Sequence, residues 1–263
     1  MNFWKYSAHG NDFVVLDNRS GEIDGANHHF WKDICSRRTG VGADGVLFVE
    51  NSEKYDFHMR YLNSDGGEVS MCGNGARAIS HFYSSHQDIF KHELCFSTKE
   101  GVYRSFLDKE SDFVSIEMTE FYDENKIEIS SFYNSLDSYY ANTGVPHCVY
   151  LVDDIQEIDV ETEGRRIRNL EIFPDGVNVN FISKIGDKYA IRTYERGVEG
   201  ETLSCGTGTT AAAHFIFKIE ADESLNEMTF IARGGELKVS REGDKLFYGG
   251  KVHLIYKGQL CIN

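Results

Sequence analysis

Residues 66–80 read GGEVSMCGNGARAIS and residues 199–213 read EGETLSCGTGTTAAA. Laid over one another, the two stretches share Gly-Glu, three intervening residues, Cys-Gly, one residue and Gly. Cys205 follows Cys72 by 133 residues (205 − 72), about half of a 263-residue chain. Outward from the cysteines the register persists: Tyr61 falls on Tyr194, Phe48 on Phe181, and Gly10 on Gly144 with the offset slipped to 134. A match held across several separate segments is the mark of a duplicated unit. A chain of this length reaches the size at which single cores stop growing, so two related domains of about 130 residues are expected.

Each half is mostly strand with one well-marked helix. DFVVLDN (12–18) reads as a strand leaving a Gly-Asn turn, VLFVE (46–50) as another, and DFHMRYLNS (56–64) alternates like a half-buried strand. HHFWKDICSRRTG has helical spacing and a glycine stop at Gly40. GARAISHFYSS (75–85) and TTAAAHFIFKIE (209–220) are helices that begin just behind the two Cys-Gly motifs. The remaining segments, among them GVNVNFIS, KYAIRTYER and KLFYGGKVHLIYKG, are β-like.

The charge balance is 27 Lys plus Arg against 42 Asp plus Glu, a net −15. Binding to nucleic acid or an anionic membrane surface needs a basic face, which this composition does not supply. No apolar run reaches the ~18 residues of a membrane span, and the start MNFWKYSAHGNDF has no uninterrupted apolar stretch. A soluble cytoplasmic chain is the expectation. Six cysteines without a CxxC pair point to reduced thiols, not to a disulfide framework or a zinc site.

A single Cys-Gly-x-Gly is a weak signal, ordinarily a glycine-rich helix start with a small buried thiol. Two copies related by a repeat place Cys72 and Cys205 for one shared task if the halves face each other. At a helix N-terminus, unpaired N–H groups and the helix dipole favour the thiolate. The small residues behind each cysteine let those N–H groups converge on a carboxylate. A thiolate on one face of a Cα and a thiol on the other would remove and return a proton, inverting the centre. Such chemistry needs no cofactor, and the sequence offers no P-loop, no strand-to-helix GxGxxG and no marked Schiff-base lysine.

The chain resembles diaminopimelate epimerases in HGNDFVVLDN (9–18), RRTGVGADGVL (37–47), NSDGGEVSMCGNGAR (63–77), GVPH (144–147), FPDGVNVNF (173–181) and YERGVEGETLSCGTG (194–208). The resemblance implies an α+β fold of two pseudo-symmetric domains, each a curled sheet around a central helix, with the active site in the cleft between them. It places the first domain at 1–117, rejoined by a C-terminal strand at 250–263, and the second at 118–249. It implies Cys72 and Cys205 as a catalytic pair, with no cofactor and no metal, interconverting LL- and meso-diaminopimelate for lysine and peptidoglycan precursor synthesis. Substrate contacts carried over are Asn11, Asn63, Gly73 and Asn74 from the first half, and Asn178, Glu195, Arg196, Gly206 and Thr207 from the second. Arg196 suits a carboxylate and Glu195 an ammonium. Asn11 and Asn63 also sit where turns favour Asn, and Glu195-Arg196 also reads as a solvated pair. His147 is a candidate for tuning a nearby thiol, or a hydrogen-bonded histidine at a domain seam. The resemblance admits a homodimer.

Two positions depart from the family pattern: Val145 stands where many members have Asn, and Gly45 where some have Gln. The alternatives are a proline- or hydroxyproline-type racemase, an isomerase relative lacking one or both cysteines, a non-catalytic amino-acid-binding protein, and a redox-sensing dithiol protein. Asn74 and the Glu195-Arg196 block favour diaminopimelate over the proline type, which usually has His after Cys-Gly.

Overall fold

A computed structural model describes residues 1–118, 120–220 and 224–260. The chain divides into two compact units, one holding Met1–Glu117 and the stretch from Gly249 onward, the other Met118–Tyr248. In chain order the first unit contains β1 (Asn2–Ala8), β2 (Asn11–Asp17), α1 (His28–Cys35), β3 (Gly45–Glu50), β4 (Phe57–Asn63), β5 (Glu68–Val69), α2 (Gly73–Ser85), β6 (Glu93–Ser97), β7 (Val102–Asp108) and β8 (Phe113–Glu117). The second contains β9 (Asp137–Asn142), β10 (Pro146–Leu151), α3 (Val160–Arg168), β11 (Asn178–Ile185), β12 (Lys188–Glu195), β13 (Gly200–Thr202), α4 (Gly206–Glu220), β14 (Glu227–Ala232) and β15 (Gly235–Glu242). β16 (Lys245–Lys251) leads out of it, and β17 (His253–Gln259) pairs antiparallel with β1.

The two units are wired alike. β1–β2 is antiparallel, β2–β3 parallel, β3–β4 and β4–β5 antiparallel, β4–β6 parallel and β6–β7 antiparallel. The same order of senses runs through β9–β10, β10–β11, β11–β12, β12–β13, β12–β14 and β14–β15. This is the α+β repeat read from the sequence.

Strand patterning explains why each sheet is covered on both faces. In β2, Phe13 and Val15 join the core around α2, while Val14 and Leu16 join a second core under α1 with Trp31 and Cys35. Because alternate residues are both buried, the strand reads as a continuous apolar run. In the second unit one core surrounds Ala211–Ala213, Phe215 and Ile216 of α4, and the other packs Val160 and Ile167 of α3 against Phe181 and Tyr194. α4, enclosed on most sides, is apolar most of the way round, whereas α2 buries Asn74, Arg77, Ser80 and Ser84 beside its apolar residues. Each fully buried Phe or Leu contributes about 1.5–3 kcal/mol relative to exposure.

Four expectations are corrected. α1 ends at Cys35, short of Gly40: Ser36 is extended (φ −63°, ψ 123°), and Arg37 instead turns its guanidinium to Asp12 and Asp44. α2 begins at Gly73 and α4 at Gly206, ahead of residues 75 and 209, because the glycines themselves form the first turn. The short helix α3 lies outside the expected elements, its buried stripe being only Val160, Gly164 and Ile167 in an otherwise polar segment; Asp159 caps it through the Thr162 N–H. Finally, Tyr61 does not lie on Tyr194. Tyr61 pairs with Leu47 and Val69, and the residue so placed in the second unit is Thr193, between Asn180 and Thr202. Identical residue types had masked a one-residue slip that sends the two rings to opposite sheet faces, Tyr61 to the α2 core and Tyr194 to the α3 core.

Among the described residues no helix is long and apolar enough to cross a membrane. Cys35, Cys95 and Cys148 are free thiols, and Cys261 lies outside the described residues.

Candidate active site

The sequence-selected residues gather at the heads of α2 and α4, one group in each unit. Cys72 is the N-cap of α2, extended at φ −142° and ψ 118°. Its Sγ accepts the Gly75 N–H at 3.5 Å, and its carbonyl accepts the Ala76 N–H at 2.7 Å. The sulfur thus occupies the place where Ser or Asp usually satisfies an orphan donor, which favours negative charge on it. Cys205 precedes α4 in the same way: its carbonyl accepts the Thr209 N–H at 2.9 Å, and its Sγ lies 3.4 Å from the Thr207 hydroxyl. Cys72 is half-buried and Cys205 buried. Among the other described thiols, burial pushes Cys35 up to about 11 and also raises Cys95 and Cys148.

In the first unit Asn74, one residue into α2, donates Nδ2–H to Asn11 Oδ1 at 2.7 Å. Asn11 in turn donates to Asp44 Oδ2 at 3.0 Å. Asp44 also takes the Asp12 N–H and an Arg37 guanidinium N–H. Burial pushes the Asp12 carboxyl up, but hydrogen bonds and charges from Arg37 and Lys5 outweigh it and hold it at about 2. Asn63 is exposed at the end of β4, its Oδ1 accepting the Tyr61 hydroxyl at 3.0 Å. A side chain at Gly45 would run into the Tyr61 ring, with Cε2 only 2.4 Å from a Cβ placed there. That contact disfavours a side chain at this position, where some family members carry Gln and others Gly.

In the second unit Asn178 ties two strands together, accepting the Arg196 N–H at 2.9 Å and donating to the Pro146 carbonyl at 3.1 Å. Arg196 sends Nη1–H to the Asp175 carbonyl, and neighbouring Glu195 is half-buried, its carboxyl raised by burial against a lowering bond from Thr202. His147 is fully buried. Asn180 Nδ2 donates to His147 Nδ1 at 3.1 Å and to the Cys148 carbonyl, and Thr193 donates to Asn180 Oδ1 at 2.9 Å. Nδ1 must therefore accept, which puts the proton on Nε2; among the described residues Nε2 has no hydrogen-bond partner. Burial, with the Arg196 charge second, lowers His147 to about 3, so it is neutral at ordinary pH. Gly208 sits directly over this group: a Cβ there would lie 2.2 Å from Asn180 Oδ1 and 3.3 Å from His147 Cε1.

A statistical description of the family "Diaminopimelate epimerase" matches residues 3–122 and 139–255. The chain is 38% identical to the diaminopimelate epimerase of Hydrogenobaculum sp., over 97% of each chain, and 38% identical to that of Archaeoglobus fulgidus, over 99% of this chain and 96% of the relative. The chain belongs to the diaminopimelate epimerase family. Solved structures share the fold at lower identity. A phenazine biosynthesis protein of the PhzF family from Bacillus anthracis superposes with a TM-score of 0.73 at 17% identity, covering 100% of this chain and 99% of the other. A hydroxyproline epimerase from Agrobacterium vitis, with bound trans-4-hydroxy-L-proline, gives 0.63 at 14% identity over 98% and 91%.

Sequence reasoning passed over Arg77, Asp44, Asn180 and Thr193. Arg77 and Asn74 are three apart on one helix face, a spacing that signals contact; the partnership of Asn180 with His147 comes only from the β10–β11 pairing.

Proposed function

We propose that this protein interconverts LL- and meso-diaminopimelate by a two-base mechanism in which Cys72 and Cys205 serve opposite faces of one α-carbon, in supply of lysine and peptidoglycan precursors. The observation that carries the reading is the matched seating of the two thiols at helix N-termini, Cys72 on the Gly75 N–H and Cys205 ahead of α4, in a member of this family. One cysteine, as thiolate, takes the α-proton. The electron pair left on carbon is delocalised into the adjacent carboxylate, whose negative charge the helix N-terminal N–H groups stabilise. The other cysteine, as thiol, returns a proton to the opposite face, so the pair ends with its protonation states exchanged and no redox change. Net inversion requires both half-sites to act on one substrate, with water excluded while the carbanion exists. Both proton transfers are carried by the chain's own residues and require no cofactor. Asn11, Asn63, Asn74, Asn178 and Arg196 serve as donors to the substrate carboxylates, and Glu195 receives an ammonium group.

Incubation of the purified protein with LL-diaminopimelate in deuterium oxide tests this. Appearance of the meso form with deuterium at the inverted carbon is expected, while proline, hydroxyproline and glutamate, offered in parallel, stay unlabelled. Labelling of proline in place of diaminopimelate assigns the site to the other racemase type.

A further inference from the structure

Arg77 is fully buried in α2, one turn past its first residue. A guanidinium has only donors, and it keeps its charge throughout the accessible pH range. One arm, Nη2–H, donates to Asn74 Oδ1, and the other, Nη1–H, donates to His9 Nδ1 at 3.0 Å. Since Asn74 Oδ1 must face Arg77, its NH2 group is turned to Asn11, where it donates to Oδ1 at 2.7 Å. Asn11 is then obliged to point its own NH2 at Asp44, a carboxylate that only accepts. The chain Arg77 to Asn74 to Asn11 to Asp44 runs from an obligatory donor to an obligatory acceptor. With both ends fixed, neither amide can rotate without placing N–H against N–H or oxygen against oxygen.

The His9 arm adds backbone control. His9 lies in the β1–β2 turn two residues before Asn11, in the left-handed region at φ 49°. Counted between the equivalent pairs Ser7–Asp12 and Asn142–Pro146, the first unit's connection is one residue longer, and with Gly10 matching Gly144 the extra residue is His9. Where the first unit has Asn11, Asn74 and Arg77, the second has Val145, Thr207 and Thr210, and Thr210 bonds back to the Gly206 carbonyl of its own helix. The device belongs to one half-site alone.

We infer that Arg77 and Asp44 are positioning residues for substrate binding: from opposite ends of one directed hydrogen-bond chain they lock the Asn11 amide, and Arg77 also pins the turn that carries it. The inference rests on the reading that Asn11 contacts the substrate. A contact made equally in ground and transition states appears in KM, not kcat.

Arg77→Met, Arg77→Lys and Asp44→Asn are compared with the unmodified protein in steady-state epimerisation of LL-diaminopimelate. Arg77→Met is expected to raise KM about tenfold while changing kcat by less than about threefold, with Arg77→Lys recovering part of the loss. Asp44→Asn, a near-isosteric change at a half-exposed position, should raise KM in the same sense even if Arg77→Met does not fold. A lowered melting temperature with unchanged KM in both Arg77→Lys and Asp44→Asn would overturn the inference, leaving these residues merely structural. Side-chain amide NMR of 15N-labelled protein without substrate reads the lock itself. Slow exchange of the Asn11 amide protons, lost in Asp44→Asn, supports it, and identical exchange in the two proteins overturns it. If the unmodified protein does not epimerise diaminopimelate, the functional reading fails, and the NMR comparison still decides whether Asn11 is locked.

Discussion

Beneath the first turn of α2 lie Phe13, Leu47 and Tyr61, whereas the same three sheet positions beneath α4 hold His147, Asn180 and Thr193. The strand ladders that place these triads have the same senses and order, so the fold itself does not dictate what the floor is made of. In the first unit the polar chemistry is a chain from buried Arg77 to half-exposed Asp44, over an apolar floor. In the second the chain is replaced by Val145 and Thr207, and the polar groups are underneath. Buried polar groups cost several kcal/mol when unpaired, so a floor of His, Asn and Thr survives only because Asn180 bonds both neighbours. Duplication supplied the two helix starts, and divergence around them gave each thiol a different environment.

The sharpest way to break this comparison is one substitution made at both repeat positions. Gly208→Ala drives a methyl into Asn180 Oδ1 at 2.2 Å, and it should cost about 3 kcal/mol by overpacking and disruption of the floor network. Gly75→Ala meets Leu47 Cδ2 at 3.2 Å, a yielding methyl, and alanine's helix propensity offsets the squeeze, so urea denaturation should shift by no more than about 1 kcal/mol. Equal losses would mean that the two floors do not differ in the way described. Converting the second floor toward the first, Asn180→Leu strips the partner from Thr193 and from His147 Nδ1 and should cost about 2 kcal/mol.

Smaller effects follow from titration. His147 binds its proton near 6.5 when unfolded and near 3 when folded, so between those values the unfolded chain holds more protons. Its contribution is complete above the higher value and is lost as pH falls toward the lower. The unfolding midpoint should therefore drop between pH 7 and pH 5, and His147→Gln should drop less over that interval. Asp12 is the first unit's analogue and the weakest test: its stabilisation is present above 3.8 and lost as pH falls through about 2. Asp12→Asn should flatten only that last acid limb.

Much of this was legible in the sequence because it lies in short motifs. The paired Cys-Gly-x-Gly stretches disclosed the repeat and, to within two or three residues, both helix starts, and apolar runs such as DFVVL disclosed strands. The true register of β4 against β12 was not legible, since two tyrosines serving opposite faces align at a constant offset and only the ladder reveals the slip. The polar floor escaped for a similar reason: His147, Asn180 and Thr193 come from three strands, and nothing local marks them as neighbours. Arg77 was in view within the CGNGAR block, but an arginine in a helix reads as solvated until its burial is known.

In the proposed mechanism both thiols act on one substrate carbon. Cys72→Ala and Cys205→Ala, each confirmed folded, are assayed for conversion of LL- to meso-diaminopimelate beside the unmodified protein. Each substitution alone should lower net epimerisation by roughly 10³-fold or more, since neither face has a second acid or base to replace the lost thiol. Near-normal turnover in either variant would contradict the two-base assignment.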